Sequence, residues 1–166
     1  SALYLEAEHT FQRPRKDLYI DWLSFPKEDD SSIEGVLAAA PKEDVKNHIS
    51  ILKMAGLYPV IVDIGCMAMA NLYKKLIDKK PQGTICLVNA NSGIVDISIL
   101  SGESRIYPRS VYSAPESMRD RTDFFIENIG ELLRYYQFKL HFKPVDRLII
   151  TGRLSHDEEF ITKLKK

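Results

Sequence analysis

The stretch from Gly83 to Leu100 constrains this chain more than any other, because two apolar runs there meet across a loop of small polar residues. Ile85, Leu87 and Val88 form a run rich in β-branched residues that reads as a buried strand. Ile94 to Leu100 reads as a second strand, with Ile97 and Ile99 on one face and Asp96, Ser98 and Leu100 on the other. Between them, Asn89 to Gly93 hydrogen-bond their own backbone readily or take positive φ, so the chain turns. Such a loop either turns a meander or wraps a phosphate with backbone N–H groups. Ser101 to Ser104 turns the chain again, and Arg105 to Val111 makes a third strand.

The rest of the chain supplies helices to cover such a sheet. Ala2 to His9 reads as the last turns of a helix ended by Arg13-Pro14-Arg15-Lys16. Asp17 to Phe25 and Ile33 to Ala40 are expected to pair as an antiparallel hairpin around a charged turn, Lys27 to Ser32. Pro41 opens a helix, with Glu43 and Asp44 at its positive end and Gly56 as its stop. Val45, Ile49, Leu52 and Ala55 recur on it at helical spacing, and His48 lies on its flank. Tyr58 to Ile64 reads as a buried strand. Gly65 to Asp78 reads as a helix packing through Met67, Ala70, Leu72 and Leu76. Asp63 between them is either a helix cap or a ligand-facing strand end. Pro115 to Leu140 is the longest helix, with Phe125, Ile129, Leu132, Leu133, Tyr136 and Leu140 along one stripe. Val145 to Thr151 is a last strand, and Ser155 with Glu158 has the pattern of a capping box for the closing helix.

The 166 residues suffice for one ample core or two small ones. Lys plus Arg and Asp plus Glu number 23 each, which excludes the basic surplus of a nucleic-acid binder. No segment reads as a membrane span, since Tyr58 to Ala70 is broken by Pro59, Asp63 and Gly65. No signal peptide is visible, and the helical start reads as a piece of a longer chain. Cys66 and Cys86 sit in apolar runs without metal-ligand spacing, so they read as buried free thiols in a reducing, cytoplasmic setting. Neither a metal site nor a catalytic residue is expected.

Four runs, in order, carry a family resemblance. "VLAAAPKEDVKNHISILKMAGLYPVIVDIGCMAMANL" resembles the strand, helix start, "AGL-P" step and "VD" strand end of the PilM family of type IV pilus assembly proteins. "LVNANSGIVDISIL" is similar to that family's "LVDIGAxxTDLSIL", "ELLRYYQFKL" to its amphipathic helix, and "VDRLIITGRLS" to its "VDRIxLTGGxA". The resemblance implies an α/β (α+β) chain of partial actin-like, RNase H-like fold, with a small inserted α+β domain of the FtsA/PilM type. It places the inserted domain at residues 1–57, the last strand and helix of the first actin-like subdomain at 58–82, and part of the second subdomain at 83–166.

The resemblance also implies a cytoplasmic scaffold, peripheral at the inner membrane, that recruits the cytoplasmic tail of a PilN-like membrane protein and couples it to other pilus motor components. The family's nucleotide site maps onto Asn89, Asn91, Ser92, Gly93, Asp96 and Gly152. Asn89 stands where the pattern has the Asp whose charge would hold a metal-bound water. Asn91 fills space that Gly would leave open, and Arg153 replaces the second Gly of the adenosine motif. No cofactor is therefore expected here, although ATP·Mg fits a full-length parent. The readings to separate are a non-catalytic interaction module, a fragment of a nucleotide-binding ATPase of the same apparatus, and the related cytoplasmic domain of type II secretion GspL proteins. An RNase H-like two-metal enzyme has only Asp63 and Asp96 as strand-associated acids. Unpaired edge strands around Leu18 to Leu23 predict concentration-dependent dimers.

Overall fold

The computed structural model describes residues 2–25, 34–91, 93–102, 105–112, 118–139 and 144–165. It divides into two units, Ser1–Ile64 and Gly65–Lys166.

In the first unit, α1 (Ala2–Phe11) ends where Gln12 takes a positive φ of 49° and Pro14 follows. A 3-10 turn, Arg15–Asp17, leads into β1 (Leu18–Phe25), which pairs antiparallel with β2 (Glu34–Pro41) from Leu18 opposite Pro41 to Phe25 opposite Glu34. The expected charged turn, Lys27 to Ser32, lies outside the described residues. Helix α2 (Lys42–Met54) starts directly after Pro41 and stops before Gly56, whose φ of 78° suits a residue without a side chain. The core of this unit is thin: Ala7, Leu18 and Phe25 are buried, whereas α2 buries no side chain fully.

Tyr58 to Ile64 does not form the buried strand that the sequence suggests. The segment is irregular, with Val60 95% and Ile61 84% exposed. A β-branched run becomes a strand only where a neighbour takes its N–H and C=O groups. The sheet of this unit consists of β1 and β2 alone among the described residues.

The second unit is a four-stranded sheet in the order β5-β4-β3-β6. Strands β3 (Thr84–Ala90), β4 (Ile94–Ser101) and β5 (Arg105–Tyr112) form an antiparallel meander, and β6 (Arg147–Thr151) lies parallel to β3. The start of β3 is fastened by Asp146, whose Oδ2 accepts the Thr84 N–H at 2.7 Å while its own N–H donates to the Thr84 carbonyl at 2.8 Å. Any side chain on Gly83 would collide with that carboxylate.

Strand alternation gives the sheet two apolar faces. Cys86, Val88, Ala90, Val95, Ile97 and Ile99 pack with Phe125 and Ile129 of α4 (Met118–Arg134), Tyr136 of the wider π-type turn that extends it, and Phe160 of α5 (Glu158–Leu164). Tyr136 also meets Tyr107 edge-on, ring centroids 5.3 Å apart. The opposite face meets α3 (Gly65–Leu76), so the unit has three layers. The stripe that α3 turns to the sheet is Cys66, Ala70 and Tyr73, whereas Leu72 and Leu76, expected to pack, are exposed. Small residues at 66 and 70 let the helix approach the strands closely, and the two leucines sit about 100° around the helix from that stripe. At α5 the cap also differs from expectation. Asp157 accepts the Phe160 N–H at 2.9 Å, while the Ser155 hydroxyl turns back to the Gly152 carbonyl at 2.6 Å.

Candidate functional site

At the loop end of the sheet, four polar residues stand in register across all four strands: Ser110 on β5, Asp96 on β4, Asn89 on β3 and Thr151 on β6. Residues directly opposite in a sheet project to the same face, here the face that α3 covers. The row divides into two hydrogen-bonded halves.

In the first half, Ser110 Oγ donates to Asp96 Oδ1 at 2.5 Å. Asp96 is buried, and a Cβ built on Gly65 would stand 2.7 Å from its Oδ2, so this carboxylate lies against the first residue of α3. A negative charge is favourable at a helix N-terminus. Ser98, two residues along β4, donates to the Cys66 carbonyl at 2.6 Å. Burial, with the Asp96 charge second, pushes the Cys66 thiol up, so it stays protonated and is a poor nucleophile.

The second half is an amide network. Asn89 Oδ1 accepts from Asn91 Nδ2 at 3.2 Å and from the Thr151 hydroxyl at 3.4 Å. Asn91 Oδ1 accepts the main-chain N–H of Arg153 at 3.1 Å, and its own N–H closes the hairpin on the Ile94 carbonyl at 2.9 Å. One side chain thereby ties the hairpin loop to the turn after β6. Gly152 in that turn has φ 85°, and a Cβ on it would lie 2.5 Å from the Ala90 carbonyl and 2.7 Å from Asn89 Oδ1. Only glycine fits there.

The sequence-derived candidates Asn89, Asn91, Asp96 and Gly152 thus converge on one end of one sheet. Gly93 sits at the loop with nothing within 4 Å of a Cβ, and Ser92 lies outside the described residues. Asp63 belongs to the other unit, is exposed, and takes the Ile64 N–H at 2.9 Å just ahead of α3 in the chain. His48 is exposed on α2, its Nδ1 at 2.8 Å from the Asp44 carbonyl. Sequence reasoning missed Thr151, Ser110 and Gly65. The first two follow from extending the hairpin register to its neighbours; Gly65 carries no local signal. Chemically the arrangement is a neutral amide bridge beside a carboxylate already joined to a hydroxyl. Among the described residues no group of three or more His, Cys, Asp or Glu could hold a metal ion.

Solved structures share this fold. A chain of a PilM-PilN type IV pilus biogenesis complex matches with a TM-score of 0.70 at 17% identity, over 99% of this chain and 59% of its own. A Bacteroides thetaiotaomicron protein with actin-like ATPase fold and unknown function matches with a TM-score of 0.56 at 13% identity, over 99% of this chain and 56% of its own. The fold is therefore of the mixed α/β, actin-like class. A family model for the type IV pilus assembly protein PilM matches residues 2–115, and the chain belongs to that family. It spans less than two thirds of the length of these solved relatives. No curated protein matches it.

Proposed function

We propose that the chain is part of a non-catalytic scaffold in a type IV pilus assembly complex, holding the cytoplasmic tail of a PilN-like membrane protein. Membership of the PilM family supports the apparatus and favours the pilus over a secretion-system counterpart. The solved relative in complex with PilN supports the partner. No helix among the described residues is long and apolar enough to cross a membrane, which is compatible with a peripheral position at the inner membrane.

The observation that carries the non-catalytic reading is the bridge from Asn89 through Asn91 to the Arg153 N–H. The actin-like class implies a magnesium nucleotide between the hairpin loop and the turn after the last strand. The residues present fit it poorly. Asn89 offers no negative charge for the metal's water. The hairpin and the turn already satisfy one another's polar groups. The space above Gly152 is taken by Asn89 Oδ1 and the Ala90 carbonyl.

Isothermal titration tests both parts. The chain should give no saturable heat with ATP·Mg²⁺ at micromolar nucleotide, and saturable heat with a synthetic PilN-like tail. Micromolar nucleotide binding overturns the degraded-site reading, as does turnover by a full-length parent that Asn89→Ala abolishes. A tail that never binds overturns the scaffold reading.

A further inference from the structure

The first unit carries a cationic cavity of about 590 Å³ lined by Tyr4, Arg15, Lys16, Lys42 and the consecutive β1 residues Leu18, Tyr19 and Ile20. Side chains of consecutive strand residues alternate between faces, so a cavity touching all three follows the strand's edge. That edge is open, since β1 has β2 as its one partner among the described residues. The cations beside it are fixed and unneutralised. The Arg15 guanidinium lies 3.5 Å above the Tyr4 ring, and that ring meets Trp22 of β1 edge-on. Lys42 Nζ donates to the Lys16 carbonyl at 2.7 Å and stands 5.6 Å from the Tyr19 ring. Glu8 takes the main-chain N–H of Arg15 at 2.6 Å, and neither it nor Asp17 forms an ion pair with Arg15, Lys16 or Lys42.

We propose that this edge docks an acidic peptide, added to β1 as an extended strand with its carboxylates on Arg15, Lys16 and Lys42. This site is separate from the amide network and from the proposed nucleotide question. A stacked guanidinium is held by its face and keeps its N–H edge for bidentate carboxylate binding. A strand presenting unpaired N–H and C=O groups is a template for an added strand. A free anion would satisfy the cations and leave those main-chain groups unpaired; an extended acidic peptide satisfies both. A second copy of this chain offers its own β1, whose single carboxylate is Asp21, and so leaves the cations short of negative charge.

The test uses the full chain and a fluorescein-labelled octapeptide alternating Glu and Val, read by fluorescence anisotropy. Its controls are the Lys/Val counterpart, the Glu/Val peptide N-methylated at alternate residues, and inorganic phosphate as competitor. The Glu/Val peptide should bind saturably, and Arg15→Glu or Lys42→Glu should weaken it about tenfold or more. Each variant is confirmed folded by circular dichroism. Lys46→Glu, on the exposed surface of α2 outside the cavity, controls for overall charge and should change binding less than twofold. Equal binding of the N-methylated peptide, or full displacement by phosphate, overturns strand addition in favour of a plain anion site. Absence of peptide binding overturns the proposal, whether sedimentation shows a monomer or a dimer formed through this edge.

Discussion

Asn89 has the shape of an aspartate without its charge, and that difference is measurable. Asn91 Nδ2 and the Thr151 hydroxyl both donate to its Oδ1 and would serve a carboxylate equally well. Asn89→Asp therefore isolates charge, placed directly opposite Asp96 on the same face. Like charges across a strand pair repel by about 0.2–1 kcal/mol, more where both are shielded from water. The repulsion raises the new carboxyl's pKa in the folded state, so folding favours its protonated form. The variant should match the native protein at acidic pH and lose stability as pH rises through the carboxylate range, read as a falling urea midpoint. A pH-independent difference would contradict it. Cys86 titrates at the other end of the scale. Burial pushes its thiol from 9.0 up to about 12, so its neutral form is favoured by folding. The stability this gives is complete below pH 9.0 and is lost as pH rises toward about 12. The slope is about 1.4 kcal/mol per pH unit. Cys86→Ala, though less stable overall from its cavity, should show a shallower decline between pH 8 and pH 10 in the same urea assay. Parallel slopes would show that the thiol is not protected.

At the scale of elements, the sheet and its long covering helix were legible and the exposed segments were not. The meander from Thr84 to Tyr112 announces itself because turn residues and two-residue alternation agree. The stripe Phe125, Ile129, Tyr136 was read correctly, since an apolar face at helical spacing has one place to go; Leu140 lies outside the described residues. Phe125→Ala should cost about 3–5 kcal/mol, seen as a lower urea midpoint with an unchanged dependence on denaturant. A loss under 1 kcal/mol would mean that α4 does not seal this face. Helix α3 was read on the wrong stripe because leucines outrank Cys and Ala in hydrophobicity, whereas the sheet selects small residues for close approach. Tyr58 to Ile64 was read as a strand from composition alone, and strand formation depends on a neighbour that composition does not report. The α5 cap was displaced by two residues because Ser155 and Asp157 both suit the position. Asp157→Ala should cost about 1 kcal/mol, measurable as a lower thermal midpoint.

The whole molecule joins a thinly cored first unit to a three-layer second unit. Which candidate residues cluster was visible in the sequence through the order of its motifs. How they bond was not, because the Asn91 bridge spans 62 positions to Arg153 and depends on the parallel register of β3 and β6. That bridge is what makes the actin-like architecture here a gripping surface instead of a nucleotide clasp. The most direct measurement is a crystal of the chain soaked with ATP and magnesium. The bridge predicts no nucleotide density at the hairpin, with Asn91 still joined to the Arg153 N–H; phosphate density seated between Asn89 and Gly152, with that bond broken, would contradict it.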